Sequence, residues 1–242
     1  MPKGSKDCMN GPEGNLQLAL DHASLDDALA LVSRLAQFVT RVEVGTPLVL
    51  STGLSAVGRV RANVPHPITV VADVKICDAG ERIARSSFKA GADVVTAVAA
   101  AIDDVTWKGI LTAAKEVDRA NCTAAPILLD TVGRDIDIHA LERFAAAARD
   151  AGIAADLCIH RPKSASRTFA ELIAPFDRQA RLFDRLIVAG KLNPSEAYPA
   201  LEAGFDILVV GGAVAEASDP VQVWNAFRTN VDSYRETRVK SQ

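Results

Sequence analysis

Residues 68–80 read ITVVADVKICDAG, an uninterrupted apolar run that ends in charged side chains. Ile68 to Ala72 has the character of a strand buried on both faces, yet Asp73, Lys75 and Asp78 follow at once. Burying an unpaired charge is very costly. These three side chains are therefore mutually paired, solvated or part of a reaction site, and the rest of the sequence has to decide among those alternatives.

Seven further apolar runs resemble this one, and helix-forming segments lie between them. The eight runs are LQLAL (16–20), VEVG (42–45), ITVVAD (68–73), ADVVTAV (92–98), PILLD (126–130), ADLCIH (155–160), RLIVAG (185–190) and DILVVGG (206–212). Among the intervening segments, 24–38 begins with Ser24 as a helix N-cap, and 137–152 begins with Asp137. Segments 194–204 and 218–227 open with Pro or Ser/Asp signals.

Strict alternation of strand and helix implies parallel strands joined by right-handed crossovers. Eight such units predict a single-domain (β/α)8 TIM barrel over residues 16–242, preceded by a flexible tail over residues 1–15. The alternative is an open doubly wound sheet. Its glycine-rich first turn is missing, because the first run continues as LDHASLDD.

The composition narrows the functional classes. With 242 residues, 49% hydrophobic and 24% charged, the chain is ordinary for a globular protein, and its net charge of −3 favours neither nucleic acid nor an anionic membrane as a partner. No apolar stretch reaches membrane-spanning length, and the polar N-terminus lacks the core of a signal peptide. Four scattered cysteines (Cys8, Cys77, Cys122 and Cys158) are interpreted as small structural residues. We therefore expect a cytoplasmic protein.

In a TIM barrel the active site lies at the C-terminal ends of the strands. Here those ends carry Asp21–His22, Glu43, the set Asp73, Lys75 and Asp78, Thr96, Asp130–Thr131, His160–Arg161, Gly190–Lys191 and Gly211–Gly212. A single aspartate after a strand is usually a turn or helix cap. Because so many polar residues converge on one barrel mouth, the pattern predicts a functional site there.

Glycines follow the last two strands, where barrels often bind phosphate. At Gly190, Gly211 and Gly212 the backbone N–H groups can approach an anion without an intervening Cβ, and the following segment AVAEASDP can form a short helix. The pattern favours a phosphorylated ligand, although tight turns also use paired glycines.

Two carboxylates, Glu43 and Asp73, end adjacent strands without nearby cysteine, which favours Mg²⁺ as the bound ion. The alternative is a carboxylate–lysine network that neutralises itself through Lys75. Lys75 lies two residues after Asp73, so both would face one side of an extended strand. A lysine among carboxylates stays protonated and suits oxyanion stabilisation rather than Schiff-base chemistry.

The motif Asp73-x-Lys75-x-x-Asp78 resembles the D-x-K-x-x-D motif of the orotidine 5′-monophosphate decarboxylase superfamily. LQLALD (16–21), VEVGTP (42–47), KAGADVVT (89–96), His160 and VVGGAV (209–214) resemble the branch of 3-hexulose-6-phosphate synthase and 3-keto-L-gulonate-6-phosphate decarboxylase. The similarity runs in collinear order from about Leu16 to Trp224.

This resemblance implies a role for each matched residue. Glu43 and Asp73 correspond to Mg²⁺ ligands, Asp21 and Lys75 to polar groups around an enediol, and His160 to the proton-transferring histidine. Asp78 corresponds to an aspartate that reaches the neighbouring subunit's site, which implies a homodimer. Gly190, Gly211 and Gly212 correspond to the phosphate-binding loops. Lys191 departs from the family, which usually has a second glycine there, and it either adds a phosphate contact or reshapes the loop; with Ala213 and Arg161 it completes the candidate residues for binding substrate or its phosphate.

The two activities of this branch share a 1,2-enediolate of a pentulose 5-phosphate. Gly45-Thr46-Pro47, Asp130 and the absence of an arginine after Gly212 are similar to the synthases, whereas KICDAG and His160-Arg161 are more like the decarboxylases. We expect an aldolase that joins D-ribulose 5-phosphate and formaldehyde into D-arabino-3-hexulose 6-phosphate. Decarboxylation of 3-keto-L-gulonate 6-phosphate and a non-catalytic phosphosugar-binding barrel remain the alternatives. The roles of Arg161, Lys163 and Lys191 stay open.

Overall fold

The computed structural model describes residues 14–65, 67–117, 126–133, 136–162 and 167–240. Its eight strands are all parallel, each pairs with the next in sequence, and β8 pairs with β1 to close the ring. The strands are β1 (Leu16–Leu20), β2 (Arg41–Val44), β3 (Thr69–Ile76), β4 (Val94–Val98), β5 (Ile127–Asp130), β6 (Ala155–His160), β7 (Leu186–Ala189) and β8 (Ile207–Val210). The predicted (β/α)8 TIM barrel is confirmed.

Helices surround the barrel, and their starts follow the caps expected from the sequence. Within the described residues they are α1 (Leu25–Leu35), α2 (Thr46–Thr52), α3 (Ser55–Asn63), α4 (Gly80–Lys89), α5 (Asp104–Lys115), α6 (Ile138–Asp150), α7 (Phe169–Ile173), α8 (Asp177–Ala180), α9 (Ala197–Glu202), α10 (Gly212–Ala215) and α11 (Pro220–Lys240). Ser24 and Asp137 accept backbone N–H bonds at the starts of α1 and α6, as predicted. The helix predicted over 194–204 opens instead with a 3₁₀ turn, Pro194–Glu196, capped by Asn193.

Two apolar layers hold the fold together. The smaller lies inside the barrel and contains Val71, Val94, Leu128, Cys158, Ile187, Ala189 and Ile207. The larger lies between strands and helices, where Phe144, Trp224 and Phe227 are fully buried. This arrangement gives the barrel a packed interior that closes it below the mouth.

The cysteine interpretation holds for one residue and is wrong for another. Cys158 is buried in the inner layer, as expected, whereas Cys77 is exposed just beyond β3. The exposure follows from the end of the strand, because Cys77 lies where the chain leaves the sheet. Cys8 and Cys122 lie outside the described residues.

β3 is irregular at its C-terminal end, which corrects the simple alternation expected for Asp73 and Lys75. Its register with β4 shifts between Ala72 and Ile76, and Lys75 has a φ of 42°. A left-handed backbone is unfavourable for a side chain with a Cβ. The local bulge, rather than a regular two-residue period, therefore directs Lys75.

The ends of the chain bear on two further expectations. Residues 1–13 of the predicted tail lie outside the described residues, whereas Asn15 donates to the Asp206 carbonyl at 2.6 Å and accepts from Arg235. No helix among the described residues is long and apolar enough to cross a membrane.

Candidate active site

A cavity of about 780 Å³ opens at the C-terminal ends of the strands. All the predicted site residues except Asp78 line it, namely Asp21, Glu43, Asp73, Lys75, His160, Arg161, Gly190, Lys191, Gly211, Gly212 and Ala213. Barrel closure therefore brings together residues spread over nearly the whole sequence, as the positions of the strand ends predicted.

Lys75 bridges two carboxylates across the cavity floor. Its ammonium lies 3.0 Å from Asp73 Oδ1 and 2.9 Å from Asp130 Oδ2. Burial alone would lower the pKa of Lys75, but Asp73 and Asp130 outweigh it and raise the pKa above its usual value. Lys75 thus carries a permanent positive charge, which confirms the expected proximity to Asp73 and excludes a neutral amine nucleophile.

Asp73 is held by donors on both carboxylate oxygens. Oδ1 accepts from Lys75 and from Thr96 Oγ1 at 2.8 Å, while Oδ2 accepts from Thr46 Oγ1 at 2.6 Å and Thr46 N at 3.2 Å. Asp73 is only 5% exposed. These bonds fix the carboxylate within the barrel and set its orientation toward the cavity.

Burial and neighbouring negative charges disfavour the ionised forms of the two nearby carboxyls, Glu43 and Asp21. Burial raises the pKa of Glu43 well above its usual range, and the charges of Asp73 and Asp21 raise it further. Asp21 is open to the cavity, yet loss of solvent at the barrel mouth raises its pKa, as does Asp73. Lys75 opposes both shifts without cancelling them. Without a bound cation, both carboxyls therefore bind protons more readily than free carboxylic acids do.

This donor set suits a hard divalent cation such as Mg²⁺. Glu43 lines the cavity, and its Oε2 accepts from Gln17, whereas Oε1 accepts no hydrogen bond from any described residue. In the part of the chain that the structure covers, no three His, Cys, Asp or Glu side chains are arranged to hold a metal by themselves. Mg²⁺ commonly binds through one or two carboxylates and completes its shell with water and substrate oxygens, so Glu43 and Asp73 fit this requirement.

His160 faces the same cavity from the end of β6, and Asp130 lies behind it. Its Nδ1 is 3.5 Å from Asp130 Oδ1, at the outer limit of hydrogen-bond distance, and it is buried with no other partner among the described residues. Burial would raise the pKa of Asp130, but His160 and Lys75 outweigh it and lower the pKa, so Asp130 stays ionised. A proton on Nδ1, facing Asp130, leaves Nε2 as the ring nitrogen that can accept a proton.

Gly190 and Gly211, two of the three glycines predicted to bind phosphate, lie so close to other residues that a side chain would clash. A Cβ on Gly211 would lie 3.0 Å from Asp21 Oδ2, and one on Gly45 would lie 2.1 Å from Asp21 Oδ1. A Cβ on Gly190 would lie 2.8 Å from the Arg161 carbonyl, and Gly190 has a φ of 111°. Gly45 and Gly211 thus form a slot for the Asp21 carboxylate, while phosphate binding at Gly190, Gly211 and Gly212 stays a prediction.

Arg161 is tied to the protein rather than left free for a ligand. Its guanidinium pairs with Glu196 at 2.6 Å and donates to the carbonyls of Gly190, at 2.9 Å, and Lys191. The Lys191 side chain forms no hydrogen bond or ion pair with the described residues, although it lines the cavity. On the β7–β8 side of the cavity, Lys191 is therefore the cation that is free to meet a ligand, and Arg161 supports the loop that carries it.

Asp78 does not line the cavity of its own chain. It is exposed, its Oδ1 accepts from Ala79 N at 2.5 Å, and it borders a separate groove with residues of α4 and α5. This position is compatible with the expectation that Asp78 serves a neighbouring subunit, which stays a prediction. Lys163 lies outside the described residues.

Four polar residues of the site were not among the predicted site residues. Asp130, Thr96, Thr46 and Gln17 each make a side-chain bond to Lys75, Asp73 or Glu43. Asp130 and Thr96 stood at strand ends and carried a usable signal. Gln17 carried one as well, since a glutamine inside an apolar run needs a buried partner.

Comparison with known proteins agrees with this geometry. The family model for orotidine 5'-phosphate decarboxylase / HUMPS matches residues 14–227. A 3-hexulose-6-phosphate synthase 2 of Staphylococcus saprophyticus is 31% identical over 224 residues, 90% of this chain and 98% of that protein.

Solved structures show the same likeness. The 3-keto-L-gulonate-6-phosphate decarboxylase of Vibrio cholerae has 29% identity and a TM-score of 0.71, covering 91% of this chain and 98% of the other. A crystal structure of a 3-hexulose-6-phosphate synthase has 31% identity and a TM-score of 0.73, covering 89% of this chain and 99% of the other. The chain belongs to the orotidine 5'-phosphate decarboxylase / HUMPS family.

Proposed function

We propose that this enzyme is a carbon–carbon lyase of the kind its relatives represent, and that its reaction joins D-ribulose 5-phosphate and formaldehyde into D-arabino-3-hexulose 6-phosphate, or the reverse. The observation that carries the proposal is the line of contacts from Lys75 through Asp130 to His160 at one cavity. These contacts hold a cation, Lys75, and a proton acceptor, His160, beside one bound substrate. Those are the two groups that enediolate chemistry requires.

Proton removal is assigned to His160. Its Nε2 takes a proton from C1 of the pentulose phosphate, and the C–H electron pair moves into a C1–C2 double bond as the C2 carbonyl oxygen becomes negative. The Lys75 ammonium, kept protonated by Asp73 and Asp130, donates toward the developing charge. Mg²⁺, held by Glu43 and Asp73, would add positive charge beside the enediolate when bound.

Carbon–carbon bond formation uses the same proton. C1 of the enediolate attacks the formaldehyde carbon, the C=O pair moves onto the formaldehyde oxygen, and the protonated His160 returns its proton to that oxygen. The C2 carbonyl reforms, so atoms and electrons balance without a further reactant. In reverse, the same steps cleave the hexulose.

The charges near the reacting end favour the aldolase over decarboxylation of 3-keto-L-gulonate 6-phosphate. That alternative substrate brings a carboxylate, whereas formaldehyde is neutral. Four carboxyls (Asp21, Glu43, Asp73 and Asp130) surround Lys75, and Arg161 is already paired with Glu196. Among the described residues on the Asp73 side of the cavity, no cation without an ion-pair partner is left to bind the carboxylate of that substrate.

We further propose that a phosphorylated ketose is the substrate and that Lys191, with the backbone of Gly212 and Ala213, binds its phosphate. All three residues line the cavity on the β7–β8 side. A homodimer in which Asp78 reaches the neighbouring site, and a cytoplasmic location, complete the proposal. The exposure of Asp78 outside its own cavity supports the first of these.

Two assays on one preparation with Mg²⁺ test the activity: formaldehyde consumption with D-ribulose 5-phosphate, and CO₂ release from 3-keto-L-gulonate 6-phosphate. Faster formaldehyde consumption supports the aldolase. Faster CO₂ release would transfer the proposal to the decarboxylase, and binding without deuterium exchange at C1 would favour a phosphosugar-binding barrel.

The role of His160 is tested by His160→Ala. We expect C1 exchange to fall about 10²–10⁴-fold while the protein stays folded, because general acid–base catalysis contributes that much. His139→Ala is the matched control, since His139 lies exposed on α6 with its side chain 84% accessible. Undiminished exchange in His160→Ala would assign the base to another group.

A further inference from the structure

A chain of three polar side chains lies inside the barrel beneath the cavity. Arg41 on β2 donates from Nε to Gln17 Oε1 on β1 at 3.0 Å, and Gln17 Nε2 donates to Glu43 Oε2. Arg41 is 2%, Gln17 0% and Glu43 8% exposed. The three residues therefore form one hydrogen-bonded unit shielded from solvent.

The direction of this unit is fixed by chemistry. A guanidinium only donates and does not lose its proton in proteins, so the oxygen of the Gln17 amide has to face Arg41. The amide NH₂ then faces Glu43 and has to donate to it. Arg41 also lies near the buried carboxylate of Asp156, which is paired with Arg185 at 2.8 Å. The end of the unit opposite Glu43 is thereby anchored by charge.

Burying these polar and charged side chains carries a desolvation cost, which suggests that they serve a role other than stability. At a comparable depth other strands fill the interior with apolar side chains, among them Val71, Leu128 and Ile187. Well-packed apolar residues there would serve stability at least as well as buried polar ones. The unit ends on Oε2 of Glu43, a residue that lines the cavity, and leaves Oε1 without a hydrogen bond from any described residue. Its result is one fixed carboxylate oxygen and one available oxygen.

We infer that Gln17 is a positioning residue for the cation site: with Arg41 behind it, Gln17 holds Oε2 of Glu43 and so presents Oε1 to a divalent cation. The inference rests on the proposed function only for the identity of the cation as Mg²⁺. Outer partners that orient a metal ligand commonly contribute 10- to 100-fold in metal affinity.

The test compares Mg²⁺ dissociation constants of the purified full-length protein, measured by titration calorimetry without substrate. Gln17→Leu removes the donor to Glu43. Gln17→Met keeps the side-chain length but has no N–H to donate, and it serves if Gln17→Leu does not fold. Thr69→Val is the matched control, because Thr69 is 8% exposed on β3, is paired with Arg41 in the sheet register, and its hydroxyl bonds no described residue.

We expect a 10- to 100-fold weaker Mg²⁺ affinity in either Gln17 variant and an unchanged affinity in Thr69→Val. A crystal structure of Gln17→Met should show Glu43 turned away from its wild-type position. Wild-type affinity in both Gln17 variants, an equal loss in Thr69→Val, or no Mg²⁺ binding by the wild type would each overturn the inference. Failure of the proposed function is a separate result, namely a wild type that binds Mg²⁺ but converts neither sugar phosphate.

Discussion

Replacing Thr96 with valine probes the link between the strained β3 end and the site. The Thr96 hydroxyl donates to Asp73 Oδ1 at 2.8 Å and accepts from the Lys75 amide at 2.9 Å, and Thr96 is 2% exposed. Lys75 has a left-handed φ of 42°. Such a conformation costs on the order of 1–3 kcal/mol and persists only where neighbouring groups enforce it.

The magnitude follows from the two bonds. A hydrogen bond to a charged acceptor contributes about 1.5–3 kcal/mol, and a buried amide left without an acceptor costs about 1–3 kcal/mol. Because the two effects share one hydroxyl and the site relaxes, we expect Thr96→Val to lower the free energy of unfolding by roughly 2–4 kcal/mol. Thr96→Ser keeps the hydroxyl and loses one methyl group, which costs about 1 kcal/mol.

Urea unfolding of the metal-free protein at pH 7 measures both variants, and single-turnover C1 exchange measures the effect on chemistry. We expect Thr96→Val to be less stable than Thr96→Ser and to lose exchange activity, since Lys75 is no longer held between its carboxylates. If valine proved as stable as serine, the hydroxyl would have no role in enforcing the β3 bulge, and the reasoning would be refuted.

Three other predictions concern neighbouring features. Gly45→Ala should lower kcat about 100-fold by displacing Asp21, because the added Cβ would lie 2.1 Å from Asp21 Oδ1 and a shift of about 1 Å is that costly, whereas Gly58→Ala, in α3 and away from the cavity, should leave kcat near wild type; equal kcat values would contradict the slot. Mixed dimers of Asp78→Ala and Lys75→Ala chains should regain activity if Asp78 serves the partner site, and inactive mixtures would exclude this. Since burial raises the pKa of Asp21, its folded form binds protons more tightly than the unfolded chain, so its contribution to stability is complete below the ordinary carboxyl pKa and is lost as pH rises through the raised value. The free energy of unfolding of the wild type, relative to that of Asp21→Asn, should therefore fall with rising pH, and a pH-independent difference would argue against the shift.

The position of the site was predictable because each parallel strand of a barrel ends on the same face. Asp21, Asp73 and His160 each follow an apolar run and Glu43 lies one residue before the end of β2, and closure of the ring brings all four to one cavity. The contacts between the site residues were harder to predict from the sequence. Asp130 contacts Lys75 across a separation of 55 residues, a contact that depends on ring closure.

Irregular backbone and close side-chain contacts made two other features of the site unpredictable from the sequence. The bulge in β3 gives Lys75 a backbone conformation that no residue pattern signals, and the direction of its ammonium depends on that bulge. The role of Gly211 was obscured for a related reason, since a glycine in a loop does not reveal whether an anion or a neighbouring side chain fills the space. Only coordinates identify Asp21 as the occupant.

The slot for Asp21 has a consequence for how the protein matures on the ribosome. Its walls are Gly45, just after β2, and Gly211, just after β8, and β1 joins β8 through pairs such as Leu16 with Leu208. Because synthesis runs from the N-terminus, β8 is the last of the eight strands to leave the ribosome. Asp21, Glu43, Asp73 and Asp130 are therefore all synthesised before Gly211 can complete the slot for Asp21. We therefore expect catalytic activity only after β8 has docked against β1.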